Sequence, residues 1–174
     1  MKRITTIIIV FFCTFLQMNA QIQRTFFGLE LGKATIQDVK NYCKSVNQSA
    51  IVYKKKGYII VEPSKNKFLF GGLAWYRVEF KFNNGFLSMI TFHNKDNFDY
   101  TKSESEVRLH FNDLKHRIDN KYHTYLINDT KDELKEEWFY RDGSTLLQII
   151  LDKSLSLDSF QVTYMDDMKP SDDL

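Results

Sequence analysis

Apolar and polar residues alternate most regularly in the segment Tyr76–Phe82. Aromatic and aliphatic side chains occupy its even-numbered positions, and Arg, Glu and Lys occupy the odd-numbered positions between them. A period of two residues is typical of a β-strand with one buried face. The pair Asn84-Gly85, which is favoured in tight hairpin turns, follows this segment and leads into the apolar segment Phe86–His93. The pattern therefore predicts a β-hairpin.

Further strands are predicted on both sides of this hairpin. Lys56-Gly57 and Asp142-Gly143 are turn-forming pairs, and each of them separates two segments rich in apolar residues. A last apolar segment lies close to the C-terminus. These patterns predict five additional strands, at Ile51–Lys55, Tyr58–Val61, Lys135–Arg141, Thr145–Leu151 and Ser159–Met165.

Two segments carry helix start signals followed by apolar residues at helical spacing. Thr35 with Asp38, and Ser103 with Glu106, resemble capping boxes, in which two side chains satisfy free backbone N–H groups at the start of a helix. The apolar positions that follow each signal lie on one face of a helix. They are Ile36, Val39, Cys43 and Val46 in the first helix, and Val107, Phe111, Leu114, Ile118 and Tyr122 in the second.

The order of the predicted elements suggests an internal duplication. One helix and four strands are followed by a second helix and three strands, and the two helix starts match at an offset of 68 residues. We therefore predict an α+β fold, with both helices packed on one face of an antiparallel sheet and a possible tandem α-β-β-β repeat. The matching pairs are Thr35/Ser103, Asp38/Glu106, Val39/Val107, Cys43/Phe111 and Val46/Leu114.

Three features together resemble small exported bacterial proteins with a β-lactamase-inhibitor-protein-like fold. They are an N-terminal signal segment, the helix entry Gly32–Val39, and the hairpin Val78–Phe92 with Asn84-Gly85 at its turn. A single repeat of the same pattern resembles the small outer-membrane assembly lipoproteins. The resemblance implies an antiparallel sheet whose open face binds another protein.

The first twenty residues have the pattern of a cleavable signal peptide. Lys2 and Arg3 precede a mostly apolar segment of 13 residues, Ile4–Leu16. That length is shorter than the roughly 18–20 residues of a membrane-spanning helix, although a single membrane anchor is the alternative reading. Ala20 fits the small residue that precedes a signal-peptidase cut. We therefore predict a signal peptide over residues 1–20 and a periplasmic or secreted protein.

We expect the precursor to be processed near Ala20. Because signal peptidase cuts after a small residue, the mature chain should start at or close to Gln21. The intact mass of protein purified from the periplasm tests this directly. Recovery of the full-length chain from the membrane fraction would contradict it.

Processing changes the charge of the protein. The whole chain has 24 basic and 22 acidic residues, and the signal peptide removes Lys2 and Arg3 but no acid. The mature chain therefore has 22 residues of each sign and no basic surplus for nucleic acid or for acidic membranes. We predict one domain over residues 21–174, with a core at about 26–165 and a disordered acidic tail at 166–174. Its expected partner is another envelope or secreted protein, with no nucleic acid and no membrane after signal cleavage.

The sequence offers little that resembles catalytic or metal chemistry. Among the four histidines, His110 and His116 lie six positions apart, which separates them by about 120° around a regular helix. Glu136 and Glu137 are adjacent on a strand and point to opposite faces. Cys43, the only cysteine left after processing, can form no intrachain disulfide and is predicted to point into the core. We expect no catalytic residues, no metal site and no cofactor.

The outward-facing residues of the predicted strands form the candidate site. If the even-numbered residues of the first hairpin face the helices, then Trp75 and Arg77 face the opposite side of the sheet, and Phe139 and Arg141 should join them there. Tryptophan and arginine are enriched in protein interfaces because they combine a large contact area with polar groups. We therefore predict a non-enzymatic binding module that contacts its partner through this face. The alternatives are a small-ligand carrier or hydrolase with a pocket between sheet and helices, and an inhibitor or immunity protein against a secreted toxin or enzyme.

Overall fold

A computed structural model describes residues 21–53, 56–62, 68–94, 104–154 and 158–167 of the chain. The predicted signal peptide lies outside the described residues. Two α-helices, a short 3-10 helix and twelve strands are found in the described part. Their bounds are β1 Thr25–Phe26, β2 Leu29–Glu30, α1 Ile36–Ser45, β3 Ala50–Tyr53, β4 Tyr58–Val61, β5 Phe68–Phe70, β6 Leu73–Trp75, β7 Arg77–Asn83, β8 Phe86–His93, α2 Glu104–Tyr122, the 3-10 helix His123–Tyr125, β9 Leu126–Lys131, β10 Lys135–Asp142, β11 Thr145–Asp152 and β12 Ser159–Asp166.

Eight of these strands form one antiparallel sheet. Their order across the sheet is β3-β4-β7-β8-β12-β11-β10-β9. All seven neighbouring pairs are antiparallel, and β8 and β12 join the two halves of the chain at the centre. The predicted fold class, α+β with a large antiparallel sheet and two helices, is confirmed.

Both helices contribute to the core on one side of the sheet, which we call the inner face. Val39 and Cys43 of α1 are buried in the same cluster as the strand residues Ile59 and Phe80. In α2, the ring of Phe111 lies 5.4 Å from Trp138 and 5.7 Å from Phe160, measured between ring centroids. All five residues predicted to form the apolar stripe of α2 are buried.

The first helix is shorter than its apolar pattern indicates. Thr35 and Asp38 form the predicted capping box, in which the Asp38 N–H donates to Thr35 Oγ1 and the Thr35 N–H donates to Asp38 Oδ2. Val46, however, is the residue that ends the helix and is 37% exposed, so its predicted place in the buried stripe was wrong. The helix ends there because Asn47 takes a left-handed conformation, with φ at 55°.

The strand prediction from residues 77 to 93 is confirmed in outline. Val78 and Phe80 are fully buried on the inner face, and the turn residues Asn84 and Gly85 both have the positive φ that this hairpin requires. A β-bulge interrupts the pairing of β7 with β8 between Lys81 and Phe82. The bulge shifts the rest of the hairpin by one residue, so that Arg77 lies opposite His93.

Two small hairpins, β1–β2 and β5–β6, complete the inner face. The second of them shows that the prediction for Trp75 was wrong. The hairpin of β5 and β6 is separate from the large sheet, and the chain bends at Tyr76 before β7 begins. The side-chain alternation of β7 therefore does not extend back to Trp75, which is 0% exposed. Its indole ring packs against Phe92 and Phe160 of the inner face, and its Nε1–H donates to the Phe70 carbonyl oxygen at 2.9 Å.

The predicted core limits were too narrow at both ends. Ile22 is buried in the core, and Asp166 belongs to β12 instead of a disordered tail. Arg24 pairs with Asp166, with Nη2 at 3.1 Å from Oδ1, and its Nη1 donates to Ser144 Oγ and Thr145 Oγ1 at 2.9 and 2.7 Å. An ion pair therefore ties the N-terminal segment to the last strand. Residues 168–174 of the predicted tail lie outside the described residues.

Candidate functional site

The face of the sheet that points away from α1 and α2 is called the outer face below, and it carries most of the candidate site. Strand register brings outward side chains into rows that cross the sheet. One row runs from Glu79 through Thr91 and Thr163 to Gln148 and Phe139. A neighbouring row consists of Arg77, His93, Gln161, Ile150 and Glu137.

The middle of the outer face is hardly exposed to solvent. Thr163 is only 4% exposed, and Thr91 and Ile150 are buried as well, although all three point away from the helices. Thr163 Oγ1 lies 3.2 Å from Thr91 Oγ1, so these hydroxyls hydrogen-bond each other across the β8–β12 pair. Thr91 and Ile150 each line one of two depressions in the outer face.

Arg77, Glu79 and His93 form a charged cluster on this face. Arg77 Nη2 lies 3.1 Å from Glu79 Oε1, and His93 Nε2 lies 3.5 Å from the same oxygen. The contact with His93 is the main cause that lowers the pKa of Glu79, Arg77 adds to it, and partial burial opposes both. The carboxylate is therefore held in its charged form. At 3.5 Å the His93 contact is too long for a strong hydrogen bond.

The cluster also leaves unused hydrogen-bonding groups. Arg77 Nε and His93 Nε2 are inaccessible to solvent, and neither has a hydrogen-bond partner among the described residues. An unsatisfied buried donor costs about 1–3 kcal/mol, so such groups are rare in stable folds. Because the Arg77 side chain is 30% exposed, its guanidinium can donate hydrogen bonds to an additional carboxylate or carbonyl partner.

Two depressions lie on either side of this cluster. One has a volume of about 410 Å³ and is lined by Tyr58, Lys81, Met89 and other residues of β4, β7 and β8. The other has a volume of about 300 Å³ and reaches from Arg77 and His93 across to Lys135. Both acidic and basic side chains line the two depressions, so neither positive nor negative charge dominates this surface.

The structure brings together only part of the predicted patch. Phe139 and Arg141 lie side by side on the outer face of β10, where Arg141 Nη1 pairs with Asp167 at 2.7 Å. Arg77 is on the same face but four strands away, which is about 19 Å at the usual strand spacing. Trp75 is in the core beneath the opposite face, so the prediction that it belongs to the patch was wrong.

The sequence analysis did not predict the neighbours that place Arg77 in a charged cluster. His93 ends its strand without any local signal for a partner, and its pairing with Arg77 depends on the bulge in the β7–β8 hairpin. Alternation along β7 did place Glu79 and Lys81 on the outer face. The partners contributed by β8 and β12 could not be read from any local pattern, since they come from strands distant in the sequence.

Neither a reactive thiol nor a metal centre is found in the described ranges. Cys43 is buried, as predicted, and burial raises the pKa of its thiol to about 11, so it is uncharged at neutral pH. The part of the chain that the structure describes contains no group of three or more His, Cys, Asp or Glu side chains arranged to hold a metal ion.

No described helix combines the length and the apolarity that a membrane crossing requires.

Comparison of the chain with protein-family models, with curated proteins and with solved structures finds no match. The geometry of the outer face therefore provides the main argument about function.

Proposed function

We propose that the chain is an exported, non-enzymatic binding module that contacts another exported protein through its outer face. The observation that supports this most is the half-buried Arg77 side chain, whose Nε has no hydrogen-bond partner among the described residues and which lies between two depressions. Protein interfaces commonly contain an arginine that is held in place by a carboxylate of its own chain and whose remaining N–H groups donate to the binding partner.

The remaining surface fits the same role. Tyr53 and Tyr58 stack with their ring centroids 4.6 Å apart near one end of the outer face, and Phe139 lies near the other. Tyrosine, phenylalanine and arginine are all enriched in protein interfaces, so their presence on one face favours contact with a protein. The matching partner surface is a protruding segment that carries a carboxylate for Arg77 and polar side chains for the depression lined by His93, Lys135 and Asp152.

The proposed internal duplication and the resemblance to β-lactamase-inhibitor-protein-like proteins both support a binding function. The strand order is consistent with two units of one helix and four strands, α1 with β3, β4, β7 and β8, and α2 with β9 to β12, whose last strands pair at the centre. A β-lactamase-inhibitor-protein-like arrangement of this kind would use its open sheet face for binding. An inhibitor or immunity protein against a secreted toxin or enzyme is a specific form of this function.

Site-specific photo-crosslinking tests the proposal. A photoreactive residue at Met89, on the outer face, should capture one defined envelope protein in living cells. The same residue at Leu109, which is exposed on α2, is the matched control and should not capture that protein. With the captured protein purified, Arg77→Ala should weaken binding at least about tenfold, which corresponds to about 1.4 kcal/mol.

Lys44→Ala provides the second control, since Lys44 is exposed on α1 and should leave the affinity unchanged. Capture of the partner from Leu109 alone, or unchanged affinity in Arg77→Ala, would contradict the use of the outer face.

A further inference from the structure

The two edges of the large sheet differ in how they are protected against pairing with another strand. At one edge, the pairing of β9 with β10 is interrupted by a shift in register, and β9 carries Asp129 and Lys131. Bulges and charged side chains are common means by which an edge strand avoids further pairing. At the other edge, β3 contains only apolar and aromatic residues in regular register with β4. Within the described residues β3 pairs with β4 alone, so the backbone groups on its other side are available for an additional strand.

A groove lies on the inner side of β3, between this strand and α1. Its volume is about 400 Å³, and Ala50 and Val52 of β3 line one side of it. Lys40 and Lys44 line the other side, and their spacing of four positions places them on the same face of α1. The open edge of the sheet therefore has two lysines beside it on the inner side.

The two sides of β3 present different chemistry to a strand added at this edge. Val52 points to the inner side, because it pairs with the fully buried Ile59. Ile51 and Tyr53 point to the outer side, where they are 47% and 39% exposed. Side chains of neighbouring strands that share a face lie beside each other. Consecutive residues of an added strand would therefore alternate between the lysine-lined groove and the apolar surface of Ile51 and Tyr53.

The charge of the groove favours an acidic occupant. Neither Lys40 nor Lys44 forms an ion pair with an acidic residue in the described ranges. A second copy of the chain fits less well, because antiparallel pairing of β3 with its own copy places both α1 helices on the same side of the joined sheet. That arrangement brings two further lysines toward Lys40 and Lys44, and like charges at short distance repel each other.

We propose that the open edge of β3 binds an extended segment of a partner protein in which acidic residues alternate with apolar residues. The segment adds one strand to the sheet, so main-chain hydrogen bonds supply affinity and the alternating side chains supply specificity. Its acidic side chains lie beside Lys40 and Lys44, and its apolar side chains pack against Ile51 and Tyr53. The site is separate from the charged cluster of the outer face, since Arg77 lies on β7, two strands away. Changes at the two groove lysines therefore affect this site and not that cluster.

Fluorescence anisotropy with labelled synthetic peptides tests the proposal. A peptide of about eight residues in which glutamate alternates with valine, the length of an ordinary strand, should bind the mature protein saturably. A peptide of the same composition with its glutamates and valines in two separate blocks should bind at least about fivefold more weakly, because only the alternating order serves both sides of β3.

Backbone methylation shows whether the peptide binds as a strand. Alternate N–H groups of a strand point to opposite edges, so only one set can donate to β3. Of two alternating peptides, one methylated on the glutamate nitrogens and the other on the valine nitrogens, one should lose binding and the other should retain it. Equal binding of both methylated peptides would show that main-chain pairing is not involved.

Charge reversal in the groove tests the role of the lysines. Lys40→Glu and Lys44→Glu should each weaken binding of the glutamate–valine peptide at least about fivefold. The double variant should instead prefer a lysine–valine peptide. Neither lysine is fully buried, so circular dichroism should show an unchanged fold. Lys121→Glu, at an exposed position of α2, is the matched control and should bind like the parent.

Several results would overturn the proposal. They are the absence of saturable binding by the alternating peptide, equal binding of the block peptide, and an unchanged preference for glutamate in the double variant. A concentration-dependent dimer that Ile51→Lys abolishes would overturn it as well, because a second copy would then occupy the edge. Sedimentation velocity of the parent and of Ile51→Lys measures this last outcome.

Discussion

Replacing Trp75 with alanine is expected to destabilise the protein by about 3–5 kcal/mol, the usual range for removing a buried tryptophan. The indole is fully buried between the β5–β6 hairpin and the inner face, where it contacts Phe92 and Phe160. Truncation leaves a cavity and frees the Phe70 carbonyl oxygen that the indole N–H now satisfies. Urea unfolding followed by circular dichroism measures the loss.

Leu69→Ala is the matched control for this experiment. Leu69 lies on the same hairpin but is 74% exposed, so its truncation should change the free energy of unfolding by no more than about 0.5 kcal/mol. Trp75→Phe, which keeps an aromatic ring, should fall between the two. If Trp75→Ala were as stable as Leu69→Ala, the tryptophan would have to lie on the surface, as its sequence neighbours first suggested.

Replacing Arg24 with methionine should cost about 2–3 kcal/mol. Arg24 pairs with Asp166, whose side chain is 7% exposed, and it also donates to Ser144, Thr145 and the Leu31 carbonyl oxygen. Methionine keeps the apolar part of the side chain but leaves the Asp166 carboxylate nearly buried and without its charge partner. Because Arg24 is itself partly exposed, the expected loss is smaller than the 3–5 kcal/mol of a fully buried pair.

An exposed ion pair provides the comparison. Lys33 Nζ lies 2.8 Å from Glu30 Oε1 on the surface, and Lys33→Met should cost less than about 1 kcal/mol. The double variant Arg24→Met/Asp166→Asn should recover part of the loss, since it also removes the unpaired charge. Equal effects of Arg24→Met and Lys33→Met in chemical denaturation would show that Asp166 is not strongly desolvated.

Local patterns in the sequence determined the helices and most of the strands of the large sheet. The five apolar positions of α2 repeat with the period of a helix, and the residues of β7 alternate with the period of a strand, so each element has one face whose burial is favourable. Turn chemistry is equally local, because Asn84, Gly85 and Gly143 supply the positive φ values that short hairpins need. These features depend on residues close together in the chain.

Elements without a repeating pattern were not predicted. Strand β9 is exposed at all six positions on the edge of the sheet, so no apolar alternation marks it. Strands β1, β2, β5 and β6 have two or three residues each, which is too short for a period to be recognised. Their rings nevertheless fill the inner face, where Phe70 stacks on Phe92 with a centroid distance of 4.6 Å.

Only the tertiary structure decided which residues meet at the two candidate sites. The bend at Tyr76 turned Trp75 into the core, and the bulge after Lys81 placed Arg77 opposite His93. The pairing of β8 with β12 then joined both halves of the outer face, while α2 and the β5–β6 hairpin came to line an open cleft on the inner face and α1 came to lie beside the edge strand β3. The sequence by itself determined which side chains share a face of each strand or helix, because this depends on the spacing of apolar residues within one element. Which faces come together depends on contacts between segments that are distant in the sequence. Such contacts produce no periodic pattern of apolar residues, so they cannot be predicted from local sequence.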